Sequence, residues 1–246
     1  MRSSDGEFFV CATISFMTQA EALSILKMGH NVFLTGGAGS GKTYTLNSYI
    51  NYLEEHDVSV AVTASTGIAA THMHGITIHA WSGIGIRDHL SDYDIDQMEG
   101  RKYLWDRYEK TRVLIIDEVS MLSGNFFDML DRVCRAFKRE PEKAFGGMQI
   151  ILSGDLFQLP PISKGGEEVN PVTESLAWKL ANPVVCYLSE QHRQDDDTFT
   201  GILNAIRKDT LDVDHYALLE SRVCEYDEEN FKHITKLFTH NADVDS

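Results

Sequence analysis

Close cysteine pairs are missing from this sequence. Its four cysteines stand at positions 11, 134, 186 and 224, with no CxxC spacing among them. Neither a disulfide framework nor a zinc site is expected from such spacing, and a reducing compartment fits best. In a bacterium that means the cytoplasm, and in a eukaryote the nucleus or mitochondrion. Long hydrophobic runs are also missing. The nearest is Phe8 to Met17, ten largely apolar residues, about half of the ~20 that a membrane-spanning helix needs. Arg2 ahead of it is offset by Asp5 and Glu7, and no small-x-small cleavage site follows, so a secretory leader is not expected either. The run reads instead as a strand or docked arm, with no membrane partner. Internal repeats and long Gly/Ser-rich linkers are absent too. Positive charge is scarce: 22 Lys and Arg against 37 Asp and Glu give a formal net charge of −15. Attraction of nucleic acid by the overall field is thereby excluded, and any such contact must rest on local groups.

What is present is an ordinary globular composition. The 246 residues are 43% hydrophobic and 24% charged, enough for one or two domains with real cores. The charge is uneven. Residues 189–246 hold 14 acidic and 6 basic side chains, whereas residues 101–143 hold 10 basic and 8 acidic, which places any nucleic-acid surface away from the tail. Short apolar runs alternate with amphipathic segments. Thr18-Gln19-Ala20-Glu21 is a capping box, and its helix should stop near Gly29. Strands are predicted at 31–35, 58–64, 113–117, 148–153 and 184–188, with a helix over about 42–55. Apolar, β-branched runs of this kind, separated by helices, predict an α/β fold whose mainly parallel sheet is covered by helices on both faces.

Between the first two of those strands, Gly36 to Thr43 fits GxxxxGK[ST]. The chemistry requires these residue types. Glycines let successive backbone N–H groups, here Gly37, Ala38, Gly39, Ser40 and Gly41, converge on phosphate oxygens. The helix that follows adds its positive N-terminal dipole. Lys42 then reaches the β- and γ-phosphates, the Thr43 hydroxyl ligates Mg²⁺, and Tyr44 follows on the same turn. A strand before and a helix after supply the context that a chance Gly-rich turn lacks, so a P-loop binding a nucleoside triphosphate is predicted. The run Val113–Glu118 (VLIIDE) supplies the other half. Asp117 ends a buried strand at the sheet's C-terminal edge, where ligands bind in open α/β sheets. It is placed to hold Mg²⁺ through water, and Glu118 to orient and deprotonate an attacking water.

Several families share those two motifs. The remaining ones narrow the field: Ala64-Ser65-Thr66-Gly67-Ile68-Ala69-Ala70, Thr77-Ile78-His79, Phe145-Gly146-Gly147, Gly154-Asp155-Leu156-Phe157-Gln158-Leu159-Pro160-Pro161 and Glu190-Gln191-His192-Arg193-Gln194. Together they closely resemble the Pif family of superfamily 1 DNA helicases, relatives of RecD, over residues 17–246. The resemblance implies a RecA-like P-loop lobe that uses ATP and Mg²⁺. Paired with a second RecA-like lobe, it would move 5′ to 3′ along single-stranded DNA and act at duplex junctions. It implies a γ-phosphate sensor at Gln158, an arginine finger at Arg193 and an adenine reader at Gln19. For Gln19, an exposed helix-end glutamine is the competing reading. DNA contacts are implied at Thr66, Gly67, Thr77 and His79, with Trp81 either stacking on bases or packed in the core. Roles in DNA repair, recombination and telomere maintenance are carried by the family name alone. Arg101, Lys102, Arg107, Lys110 and Arg112 read as a salt-bridged solvated face, with a DNA-facing stripe as the alternative. His72 and His74 lack a third ligand nearby and are not expected to hold a metal. The expected organisation is an N-terminal arm (1–17), a first lobe (18–188) and a segment (189–246) entering a second lobe, of which no later motif is present. Ala144, where the family often has Pro, is a minor departure.

Overall fold

The computed structural model describes residues 16–161, 169–189 and 197–223. The chain divides into two compact units, 1–194 and 195–246. In the first, seven strands form one sheet: β1 (Phe16–Met17), β2 (Val32–Gly36), β3 (Val60–Ala64), β4 (Ile76–Thr77), β5 (Val113–Asp117), β6 (Gln149–Ser153) and β7 (Val184–Leu188). Their order is β1-β7-β2-β6-β5-β3-β4, and every pairing is parallel. The helices of this unit are α1 (Gln19–Lys27), α2 (Lys42–Glu55), α3 (Gly67–His72), α4 (Ile78–Ser82), α5 (Asp92–Glu99), α6 (Lys102–Lys110), α7 (Gly124–Lys138) and α8 (Leu176–Ala181). The second unit contributes α9 (Asp197–Lys208) and α10 (Val213–Glu220).

Parallel strands joined by crossovers must bury both faces, and the side-chain alternation shows how. Val32 and Leu34 of β2, with Val113 and Ile115 of β5, pack against Ala22 and Leu26 of α1 and Leu46, Tyr49 and Leu53 of α2. Phe33, Leu114 and Ile116 point the other way, toward Trp81 of α4, Tyr108 of α6, and Phe127 and Leu130 of α7. An α/β sheet with two covered faces therefore stands where the apolar runs predicted it. Helix α1 begins with the capping box that the sequence offers: the Thr18 hydroxyl accepts from Glu21 N–H at 3.2 Å while the Glu21 carboxylate accepts from Thr18 N–H at 2.8 Å. It stops just before Gly29, whose φ of 83° is the left-handed conformation that follows a helix C-cap.

Two strands are additional to the five predicted. Both β1 and β4 are two residues long, too short to carry a period of their own, and exist because the neighbouring strands β7 and β3 offer open edges. Of the N-terminal apolar run, only Phe16 and Met17 fall within the described residues, and they pair with Tyr187 and Leu188.

A buried carboxylate fixes the approach to β6. Asp131 of α7 is 6% exposed. It accepts from Phe145 N–H at 2.6 Å and from Arg135 Nε at 2.7 Å. Phe145, Gly146 and Gly147 follow with φ of 51°, 63° and 78°, a left-handed run that a residue with Cβ adopts only at a cost. A Cβ on Gly146 would meet Lys138 Cβ at 2.4 Å. Asp131→Ala leaves a guanidinium and a backbone N–H without their partner. It should lower unfolding free energy by about 3 kcal/mol, read from the urea midpoint. A variant as stable as wild type would contradict this account of the Phe-Gly-Gly segment.

Candidate functional site

The C-terminal ends of β2, β6 and β5 lie side by side, in that order, so the segments that follow them share one edge of the sheet. From β2 comes the Gly36–Thr43 loop. Gly36, Gly39 and Gly41 have φ of 152°, 80° and 86°. At two of them the reason is steric. A Cβ on Gly36 would stand 2.6 Å from Ser40 Oγ and 2.7 Å from Leu188 O, and one on Gly41 would stand 2.1 Å from Gln19 Nε2. The loop turns tightly enough for Ser40 N–H to reach Gly37 O at 3.3 Å. Lys42, the first residue of α2, folds back over it and donates from Nζ to Gly36 O at 2.9 Å and Gly37 O at 3.1 Å. Thr43 and Tyr44 are exposed on the first turn of α2.

From β5 come Asp117 and Glu118, both half-buried. Glu118 has φ 52° and ψ 44°, a left-handed conformation in which a non-glycine residue is strained, and such strain gathers at functional sites. Burial pushes its carboxyl above the usual range. The charge of Asp117 and, more weakly, that of Asp155 push the same way, with Lys42 opposing them. These four groups therefore share one electrostatic neighbourhood. Among the described residues no cluster of three or more His, Cys, Asp or Glu stands ready to hold a metal by itself. The donor set instead fits a hard cation held by few protein groups and much water: a hydroxyl at Thr43, the carboxylate of Asp117, and excess negative charge beside them.

From β6 come Gly154 and Asp155. Asp155 is 2% exposed and Gln158, three residues on, is exposed. The Asp155 carboxylate accepts from Phe157 N–H at 3.1 Å and from Gln158 Nε2 at 3.4 Å, and Gln158 N–H donates to Asp155 O at 2.9 Å. At the side of the loop, Gln19 donates from Nε2 to Ser40 O at 3.5 Å. It lines a cleft of about 510 Å³ with Thr18, Ala20, Leu23, Tyr44, Thr45 and Ser48. An exposed tyrosine and an aliphatic wall beside an amide can hold a flat heteroaromatic ring and read its edge.

The outer strands β3 and β4 end at the same edge. Thr66 caps α3, its hydroxyl accepting from Ala69 N–H at 3.2 Å, and Thr77 caps α4 in the same way at 3.3 Å from Ala80 N–H. Gly67 is exposed and His79 half-buried. The His79 ring rests against Phe126, centroids 4.4 Å apart, and burial pushes its pKa below the ordinary value. Trp81 settles on the core side of its two readings. It is 4% exposed and packs on Tyr108 with centroids 4.7 Å apart, so it presents no face for a base to stack on. Arg107 is likewise not part of a merely solvated stripe. Its guanidinium donates to the carbonyls of Ala80 and Trp81, anchoring α6 at the C-terminal end of α4, where a cation is favoured. Arg193 and the rest of the 190–194 segment lie outside the described residues.

Part of this site has no signature in the sequence. Asp155 was visible only as part of a motif, because its burial and its bond to Gln158 depend on the turn after β6. Leu23 and Ser48 reach the cleft only once α1 and α2 pack together.

A phosphate-type loop on β2, a carboxylate pair on β5 and a polar turn on the strand between them define a P-loop NTPase domain. The model of the PIF1-like helicase family matches residues 16–212. The chain belongs to that family. The ATP-dependent DNA helicase Pif1 of a Psychrobacter strain is 48% identical over 237 residues, which is 93% of this chain and 36% of that protein. The crystal structure of Pif1 helicase from Candida albicans superposes with a TM-score of 0.76 at 36% identity, covering 85% of this chain and 48% of that one. Bacteroides Pif1 bound to single-stranded DNA gives a TM-score of 0.70 at 29% identity, over 92% of this chain and 54% of that one. The chain thus spans about a third of the length of the Psychrobacter relative and about half of each structural neighbour.

Proposed function

We propose that this chain is the first RecA-like lobe of an ATP-dependent DNA helicase, a motor that moves 5′ to 3′ on single-stranded DNA and opens duplex junctions when a second lobe completes it. The observation that carries this reading is the strand order β2-β6-β5, which brings the phosphate loop, the Gln158 turn and the carboxylate pair to one edge.

In this reading the amides of Gly37 to Gly41 and the Lys42 ammonium hold the ATP phosphates, and Gln19 and Tyr44 hold the adenine. Lys42 gives up its carbonyl partners on the loop for phosphate oxygens. Thr43 and Asp117 would hold Mg²⁺, the second directly or through water, and the ion would supply charge neutralisation on the phosphates. Glu118 takes the proton of the attacking water, a task for which a carboxyl raised by burial is suited. Gln158 senses the γ-phosphate side of the site, and Arg193 serves as an arginine finger. Thr66, Gly67, Thr77 and His79 would lie along the DNA strand, offering hydroxyls, amides and one ring to its backbone and bases. Residues 18–188 form the lobe and 189–246 lead toward the second. Repair, recombination and telomere roles belong to this proposal on the family likeness alone.

Taken singly, the lobe should bind nucleotide without unwinding, because translocation needs two lobes closing on ATP, and a net charge of −15 opposes tight DNA binding by one lobe. The test is ATP turnover at low salt with and without oligo-dT. Stimulation by DNA that disappears in Glu118→Gln supports a DNA-coupled ATPase. Nucleotide binding by the single lobe without an effect of DNA fits this reading, whereas ATP turnover that DNA does not stimulate in the two-lobed protein would leave a nucleotide module and overturn the helicase reading.

A further inference from the structure

The carboxylate of Asp155 is nearly fully buried beside the candidate nucleotide site, and its partners are specific. One oxygen takes Phe157 N–H at 3.1 Å and the other takes the side-chain Nε2 of Gln158 at 3.4 Å. A carboxylate only accepts. An amide that turns its NH₂ group toward Asp155 therefore turns its carbonyl oxygen away from it. The two ends of a glutamine amide differ chemically: NH₂ can meet a phosphate oxygen, whereas Oε1 cannot, and pairs only with a proton donor such as water.

We propose that Asp155 is a positioning residue that fixes the Gln158 amide with Oε1 outward, so that Gln158 accepts a hydrogen bond from the attacking water. This rests on the ATPase reading above. The geometry around Asp155 supports it. Gly154 lies against the turn that follows Glu118, where a Cβ would meet Val119 N at 3.1 Å and Ser120 N at 3.5 Å, so the Asp155 turn and the Glu118 turn are packed together. The two side chains that would share the water, Glu118 as base and Gln158 as acceptor, thus follow from segments packed against each other at Gly154 and Val119. A bland role for Asp155 as a turn former accounts for the Phe157 N–H bond. It does not require the bond to the Gln158 side chain.

Asp155→Asn separates the two roles, because asparagine Oδ1 can still accept from Phe157 N–H while its Nδ2 now faces Gln158 and calls for the opposite amide orientation. Two readouts are taken on the full chain, after a thermal melt has shown that the variant folds. The first is the side-chain NH₂ signal of ¹⁵N-labelled Gln158. The second is the affinity for MgADP with aluminium fluoride, which mimics the in-line transition state with its water, against the affinity for MgADP alone. Wild type should prefer the mimic, and the Gln158 signal should move in D155N. That preference should fall about tenfold to hundredfold in D155N with MgADP affinity unchanged, the scale on which mispositioned groups cost rate. In a Gln158→Leu background the D155N cost should shrink to what the loss of the Asp155 charge beside Glu118 contributes, since the positioning role acts through Gln158. The proposal is overturned if D155N keeps the preference or leaves the Gln158 signal in place. A D155N cost of full size in the Gln158→Leu background overturns it equally, and so does a wild type that binds MgADP with no preference for the mimic. A wild type that binds neither nucleotide would refute the ATPase reading itself, a result that MgADP binding tells apart from the others.

Discussion

Glu118→Gln should bind MgATP as tightly as wild type and hydrolyse it about a hundredfold to ten-thousandfold more slowly, the range over which a positioned general base acts. The substitution keeps size and one carbonyl oxygen and removes the charge together with the ability to take a proton. Its environment makes the expectation specific. Burial, reinforced by Asp117 and Asp155, raises the carboxyl pKa, and Lys42 opposes them. A base with a raised pKa is protonated at a higher pH than an ordinary glutamate. Hydrolysis should therefore be full above that raised value and fall as pH drops through it. Glu118→Gln should flatten this limb of the pH profile along with the rate. Stopped-quench hydrolysis from pH 5 to 8, with binding measured in parallel, reads both. Equal rates in the two proteins would remove Glu118 from the chemistry and leave its strained backbone unexplained.

Lys42→Ala should act a step earlier, on binding. In this structure the ammonium group donates to Gly36 O and Gly37 O, so the loop is closed on its own lysine, and nucleotide must compete for that cation. Removing it costs a charge-assisted contact to phosphate, about 3 kcal/mol, or more than a hundredfold in affinity. Stability should change little, because Lys42 is only half-buried and water can serve the loop carbonyls it bonds. The contrast with Glu118→Gln is the informative feature. One variant loses the ligand, whereas the other keeps the ligand and loses the reaction.

The parts of this protein that local chemistry specifies are legible in the sequence alone. The glycine spacing of 36–41, the lysine after it and the VLIIDE run each impose a backbone shape or a strand end by themselves, and the structure has them on β2, α2 and β5. Helix α1 could be placed because Thr18 and Glu21 satisfy each other three residues apart. What remained hidden depends on tertiary partners. Strands β1 and β4 are two residues each and are called into being by open neighbours. Trp81 could equally have faced solvent or core until Tyr108 of α6 closed over it, its hydroxyl donating to Ser82 O of α4. The lock between Asp131 and Phe145 joins residues 14 apart, with no pattern to announce it. Asp155 is the clearest case: its letter lay inside a motif, yet its burial, its hold on Gln158 and its effect on Glu118 come from the meeting of two turns at the sheet edge.

The most direct test of the account is a titration of a fluorescent ATP analogue with Mg²⁺ into the wild-type chain and Lys42→Ala, both checked for folding. Saturable binding by wild type, weakened more than a hundredfold in the variant and displaced by unlabelled ATP, is the predicted result. Equal affinity of the two proteins, or no binding by a folded wild type, would contradict the claim that the Gly36–Thr43 loop is the nucleotide site of a motor lobe.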